Sequence, residues 1–171
     1  MKHLLLVILL LWGCAIANAQ ISSIDVFTFL GDLTNNNAAM RLTKEMGYKS
    51  GEWGYGSFFY KNTNIRITVK DGKRVPNLSD PQKDAALVVL FERPGSDYVQ
   101  AITQVFKSKS VADKLVSDLK NKGYKSTNST STTTEKSWSY CHPKSKRKFI
   151  LKYYINTREY ALYYSKKYDY F

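Results

Sequence analysis

A four-residue segment, Gly-Tyr-Lys-Ser, occurs twice in this chain of 171 residues, at 47–50 and at 123–126. Each copy follows a segment in which apolar residues recur at the spacing of an amphipathic helix. Glycine suits the left-handed position just past a helix end, and the tyrosine after it can pack back on the helix. We therefore predict that one helix ends at Met46 and another at Lys122.

An aromatic pair follows each copy of the segment, as Trp53-Gly54-Tyr55 and as Trp138-Ser139-Tyr140. Segments of alternating apolar and polar residues surround both pairs and predict β-strands. We interpret the chain as two copies of a strand, a helix and three strands, over residues 20–97 and 98–171. The fold class is then α+β, with one antiparallel sheet of about eight strands, two helices on one face and an open face opposite.

Three local interpretations belong to this arrangement. Aromatic and β-branched residues in Ser22–Gly31 predict the first strand. The polar residues that begin at Asp71-Gly72 predict a surface loop. The run of serine, threonine and asparagine at 126–134 has no counterpart in the first copy. It is either a mobile hairpin tip or the polar start of a long edge strand.

The predicted architecture resembles tandem-repeat sheet proteins such as the β-lactamase inhibitory proteins, and the internal repeat carries this resemblance. Those proteins grip a partner with a concave sheet, so the resemblance implies a protein partner on the open face. The duplicated aromatic pairs independently suggest the contact residues on that face. These are Trp53, Tyr55, Trp138 and Tyr140.

The first 19 residues have the pattern of a bacterial signal peptide. A basic start precedes the apolar run Leu4–Trp12, and Ala17-Asn18-Ala19 supplies the small residues of a cleavage site. We predict cleavage after Ala19, with a periplasmic or secreted mature protein that begins at Gln20. The alternative is a lipoprotein with lipid on Cys14, because the residues before it resemble a lipoprotein box.

Positive charge is concentrated in the second half of the chain. Residues 20–97 contain 10 basic and 9 acidic side chains, whereas residues 98–171 contain 15 basic and 5 acidic ones. Such a potential favours an anionic partner, for example a glycan or lipopolysaccharide. Export argues against nucleic acid. The candidate contacts for an anion are Lys144, Lys146, Arg147 and Lys148.

No catalytic, metal or cofactor pattern stands out in the sequence. His142 is the single histidine after the leader, and it neighbours Cys141 on a predicted strand, so the two side chains point to opposite faces. We predict no enzyme activity, no cofactor and no metal. An enzyme remains an alternative if folding creates a deep pocket with two facing carboxylates, or with His142 and a carboxylate.

Two binding hypotheses follow from these observations. The first is an exported binding module that holds an unknown protein on an open aromatic sheet face. The second is an envelope-associated protein that holds an anionic polymer through its basic second half. The position of the tryptophans relative to the helices distinguishes the two.

Overall fold

A computed structural model describes residues 20–166 apart from positions 53–55, 71, 80, 81, 83 and 94. The predicted leader and Cys14 therefore lie outside the described residues. The described helices are α1 (Ile24–Asp32), α2 (Asn35–Met40), which continues as a π-helical segment (Arg41–Glu45), and α3 (Lys109–Asn121).

The described part of the chain contains ten strands. They are β1 (Lys49–Glu52), β2 (Gly56–Lys61), β3 (Asn64–Lys70), β4 (Lys73–Ser79), β5 (Ala86–Arg93), β6 (Ser96–Phe106), β7 (Lys125–Ser131), β8 (Glu135–Cys141), β9 (Lys148–Tyr154) and β10 (Glu159–Ser165). Eight form one sheet in the order β1-β2-β5-β6-β10-β9-β8-β7, and every neighbouring pair is antiparallel. The predicted α+β class with an antiparallel eight-stranded sheet is thus confirmed.

The main core lies between the helices and one face of the sheet, here called the helix face. Buried residues of α1, α2 and α3 pack there against alternate residues of the strands, among them Phe59, Ile102, Phe149 and Leu162. The opposite face has a smaller apolar cluster in the first half of the sheet. Ile65 of β3 and Leu78 of β4 pack in that cluster against Phe58, Leu87 and Val89.

The hairpin of β3 and β4 replaces the predicted surface loop after Asp71. The two strands pair from Asn64 opposite Ser79 to Lys70 opposite Lys73, which leaves two residues for the turn. Gly72 in that turn has a φ of +74°, which glycine adopts without strain. Asp-Gly between two strands is a strong hairpin signal, and the loop prediction gave it too little weight.

The predicted strand at Ser22–Gly31 is wrong, because most of this segment is helix α1. Ser23 caps the helix, and its hydroxyl accepts a hydrogen bond from the Asp25 N–H. Ile24, Phe27 and Leu30 are all buried, which is the spacing of one helix face. Three helices are thus described instead of two, and the division into two β-α-β-β-β copies is not confirmed.

The two copies of Gly-Tyr-Lys-Ser end helices as predicted. Their glycines have φ values of +71° and +82°, in the left-handed region. The next amides, of Tyr48 and Tyr124, donate to the carbonyls of Leu42 and Leu119 at 3.0 Å. Each copy then enters an edge strand of the sheet, β1 or β7. The run at 126–134 begins as edge strand β7, in agreement with the second of its two interpretations.

Candidate functional site

Two of the predicted aromatic contacts, Trp138 and Tyr140, lie on the helix face of the sheet and not on an open face. Tyr140 is 5% exposed and belongs to the main core on the helix face. Trp138 lies two residues earlier on the same strand face, is half-buried and packs against that core. This position is contrary to the expectation, because the helices need apolar cover on the face that these side chains share. Trp53 and Tyr55 lie outside the described residues.

Other tyrosines occupy the face opposite the helices in the second half of the sheet. The hydroxyls of Tyr154 and Tyr163 are 2.9 Å apart, and burial raises the pKa of Tyr163. Lys152 donates to Glu135 at 3.0 Å, and its ammonium lies 5.8 Å from the Tyr163 ring centroid. The hydroxyls of the two tyrosines, and the charges of Lys152 and Glu135, therefore have their hydrogen-bond or ion-pair partners within the sheet.

Three of the predicted basic contacts, Lys144, Lys146 and Arg147, lie in the connection between β8 and β9, next to the end of α3, and Lys148 begins β9. His142 orders this connection, since its Nδ1 accepts the N–H groups of Lys144 and Ser145 at 3.2 Å. Its ring lies 5.1 Å from the ring of Tyr124, just past α3, and a Cβ built on Gly123 would be 3.8 Å from His142 Nε2. Contacts within the fold thus bring the cations of the connection close to those at the end of α3.

We call this group of cations the basic end. It consists of Lys120, Lys122, Lys125, Lys144, Lys146, Arg147 and Lys148. The macrodipole of α3 favours the lysines at its C-terminus. The macrodipole does not explain why lysines also lie in the β8–β9 connection. Stabilisation of the α3 C-terminus therefore accounts for only some of the cations in this group.

Nearby carboxylates neutralise only part of the basic end. Lys122 pairs with Asp25 at 2.8 Å and with Asp118 at 3.8 Å. Arg147 pairs with Asp32 at 2.8 Å, and the hydrogen bond to Asp25 raises the pKa of Lys122. These contacts engage three carboxylates with two of the cations.

Four lysines of the basic end are exposed, and no described carboxylate lies within 4.0 Å of their ammonium groups. They are Lys120, Lys125, Lys144 and Lys146. Lys125 and Lys148 also lie on either side of Cys141, because β7, β8 and β9 place the three residues in one row. The arrangement leaves several positive charges available to an anion in solvent.

Two pockets in the described structure lack the residues that the enzyme alternative requires. One, of about 570 Å³, lies between Gln20 and α3, and Asp84 is the single carboxylate among its described lining residues. The other, of about 690 Å³, lies between α2 and β1, and the described residues that line it include Glu52 as the one carboxylate. His142 lines neither pocket.

Residues 20–166, with the gaps given above, contain no cluster of three or more histidine, cysteine, aspartate or glutamate side chains arranged to hold a metal ion. No described helix is long and apolar enough to cross a membrane.

Comparison of the chain with protein-family models, with curated proteins and with solved structures gave no significant match. The resemblance to the β-lactamase inhibitory proteins therefore stays a prediction.

Proposed function

We propose that this protein is a non-catalytic binding protein of the bacterial envelope that holds an anionic glycan such as lipopolysaccharide through its basic end. The observation that carries the proposal is the group of four exposed lysines without described carboxylate partners, brought together by α3 and the β8–β9 connection. The predicted signal peptide supplies the location, because it would bring the protein to the compartment that contains such glycans.

The physical basis of the proposed binding is charge that the fold does not neutralise. Exposed lysines gain little from distant carboxylates in water, because salt screens charges beyond about 8–10 Å. A polymer that carries many anionic groups can instead contact several lysines at once and release its condensed counterions. Such binding needs no deep pocket, which agrees with the open position of these side chains.

Retention on immobilised lipopolysaccharide or heparin is expected to fall steeply as sodium chloride increases. Each contact between a lysine and an anionic group releases a counterion, so several contacts give a strong dependence on salt. The measurement is the salt concentration at which the purified protein elutes from each matrix. Retention that does not change with salt would contradict the proposal.

A second candidate function uses the face opposite the helices. Tyr154 and Tyr163 lie on this face, away from the cluster in which the β3–β4 hairpin packs. Aromatic rings of this kind can stack against a ligand or a partner protein. Their hydroxyls already bond each other and their neighbour Lys152 is paired with Glu135, so this face has fewer unsatisfied groups than the basic end.

A further inference from the structure

At the edge of the basic end, two cations lie close to the same carboxylate. Arg147 Nη2 lies 2.8 Å from Asp32 Oδ2, and Lys166 Nζ lies 4.0 Å from Asp32 Oδ1. The side chains of Arg147 and Lys166 are 34% and 29% exposed, whereas that of Asp32 is 53% exposed. Burial and the neighbouring Arg147 lower the pKa of Lys166, and Asp32 opposes this effect. One carboxylate thus faces two positive charges.

Two tyrosines line the inner side of this cluster. Burial raises the pKa of Tyr124, and the neighbouring Arg147 opposes this effect. Tyr164 is fully buried, and a Cβ built on Gly31, the residue before Asp32, would lie 3.1 Å from its hydroxyl oxygen. That hydroxyl has no hydrogen-bond partner among the described residues. Since an unpaired buried hydroxyl costs free energy, its position next to Asp32 requires an explanation.

We propose that Arg147, Lys166, Tyr124 and Tyr164 form a site for a phosphate monoester group, and that Asp32 occupies this site as an internal substitute when no ligand is bound. The proposal rests on the proposed function and names the group of the glycan that is recognised. A single carboxylate leaves one of the two cations unneutralised, whereas a phosphate monoester carries a charge of about −1.5 to −2 at neutral pH.

The geometry of the donors also suits phosphate. The guanidinium of Arg147 is a planar fork that matches two phosphate oxygens, and the ammonium of Lys166 adds a point charge. Phosphate has further oxygens that can accept hydrogen bonds from phenol hydroxyls. The hydroxyl of Tyr164 lies beside Gly31, the residue before the exposed Asp32, so the proposal requires the Asp32 carboxylate to move out when phosphate binds this hydroxyl.

Inorganic phosphate is the probe for this site, and its binding can be measured by calorimetry at low salt. The Asp32→Asn variant is expected to bind phosphate about fivefold more tightly, since it removes an internal competitor whose ion pairs are exposed and weak. The matched control is Asp25→Asn. It removes one charge from the same helix, where the carboxylate pairs with Lys122. Equal gains in the two variants would show a general charge effect and overturn the proposal.

The Tyr164→Phe variant separates a ligand-binding role from a structural one. Without phosphate, the loss of an unpaired buried hydroxyl should leave the thermal midpoint unchanged or slightly higher. With phosphate, the affinity should fall about fivefold, as expected for one lost hydrogen bond. Unchanged affinity would contradict the assignment of this hydroxyl to the site.

Acetate and the Arg147→Ala variant complete the test. Acetate should bind at least about tenfold more weakly than phosphate, because it carries one charge and two oxygens. The Arg147→Ala variant should lose phosphate binding. Acetate binding as tight as phosphate binding would contradict the proposal. If phosphate fails to bind while retention on lipopolysaccharide stays salt-dependent, this inference fails and the proposed function stands.

Discussion

Replacement of Phe149 by alanine is expected to lower the free energy of unfolding by about 3–5 kcal/mol, the usual cost for a fully buried phenylalanine. Phe149 is inaccessible to solvent in the centre of the helix-face core. Its ring centroid lies 6.2 Å from that of Phe27 in α1, 5.2 Å from that of Tyr124 and 4.9 Å from that of Tyr164. The truncation would leave a cavity lined by α1, by β10 and by the connection after α3.

Ile150 provides the matched control for this prediction. It is the next residue of β9, it points to the opposite face and it is half-buried. The Ile150→Ala substitution should therefore lower the free energy of unfolding by only about 1 kcal/mol. Urea denaturation measures both values, and an unchanged slope shows that the unfolding transition stays comparable. Equal losses in the two variants would contradict the assignment of the two sheet faces.

Substitution of the four exposed lysines by glutamine is expected to weaken binding to lipopolysaccharide by about a hundredfold or more at low salt. The variant combines Lys120→Gln, Lys125→Gln, Lys144→Gln and Lys146→Gln. All four side chains are exposed, and no ion pair among the described residues involves them, so the fold should tolerate the change. The measurement is the dissociation constant for lipopolysaccharide, with circular dichroism as the check on folding.

A second variant with the same change in net charge tests whether the position of the lysines matters. It combines Lys44→Gln, Lys49→Gln, Lys109→Gln and Lys114→Gln, which are all exposed and lie outside the basic end. When both variants are also compared at moderate salt, we expect the loss of affinity in this variant to be less than about a tenth of the loss in the first, because salt screens charges that do not contact the glycan. Equal losses of affinity in both variants would show that binding depends on the net charge of the protein and not on the basic end.

The sequence allowed the local features of the fold to be predicted where one signal dominates. Strand β9 alternates cleanly, and Phe149 and Leu151 are buried as one face of it. The segment that forms α1 is different, because Ile24 and Val26 have the spacing of a strand face, whereas Ile24 and Phe27 have the spacing of a helix face. The helix forms because Ser23 caps its first turn and because Gly31 accepts the ring of Tyr164 against its backbone.

Part of the basic end could be found from the sequence, since Lys144, Lys146, Arg147 and Lys148 are neighbours in the chain. The cluster around Asp32 could not be found, because its partner Arg147 lies 115 residues away. Their contact depends on where α1 packs on the sheet, and that packing involves contacts between distant strands. The position of Trp138 depends on the same information, because alternation gives two faces but does not say which one the helices cover.

The most direct test of the proposed function is a titration of the ¹⁵N-labelled protein with lipopolysaccharide-derived phosphorylated glycan, followed by backbone amide chemical shifts. Binding through the basic end predicts the largest changes at residues 120–125 and 142–148, where the exposed lysines lie. Largest changes at Tyr154 and Tyr163, with residues 120–125 and 142–148 unaffected, would contradict the proposal and favour the open sheet face.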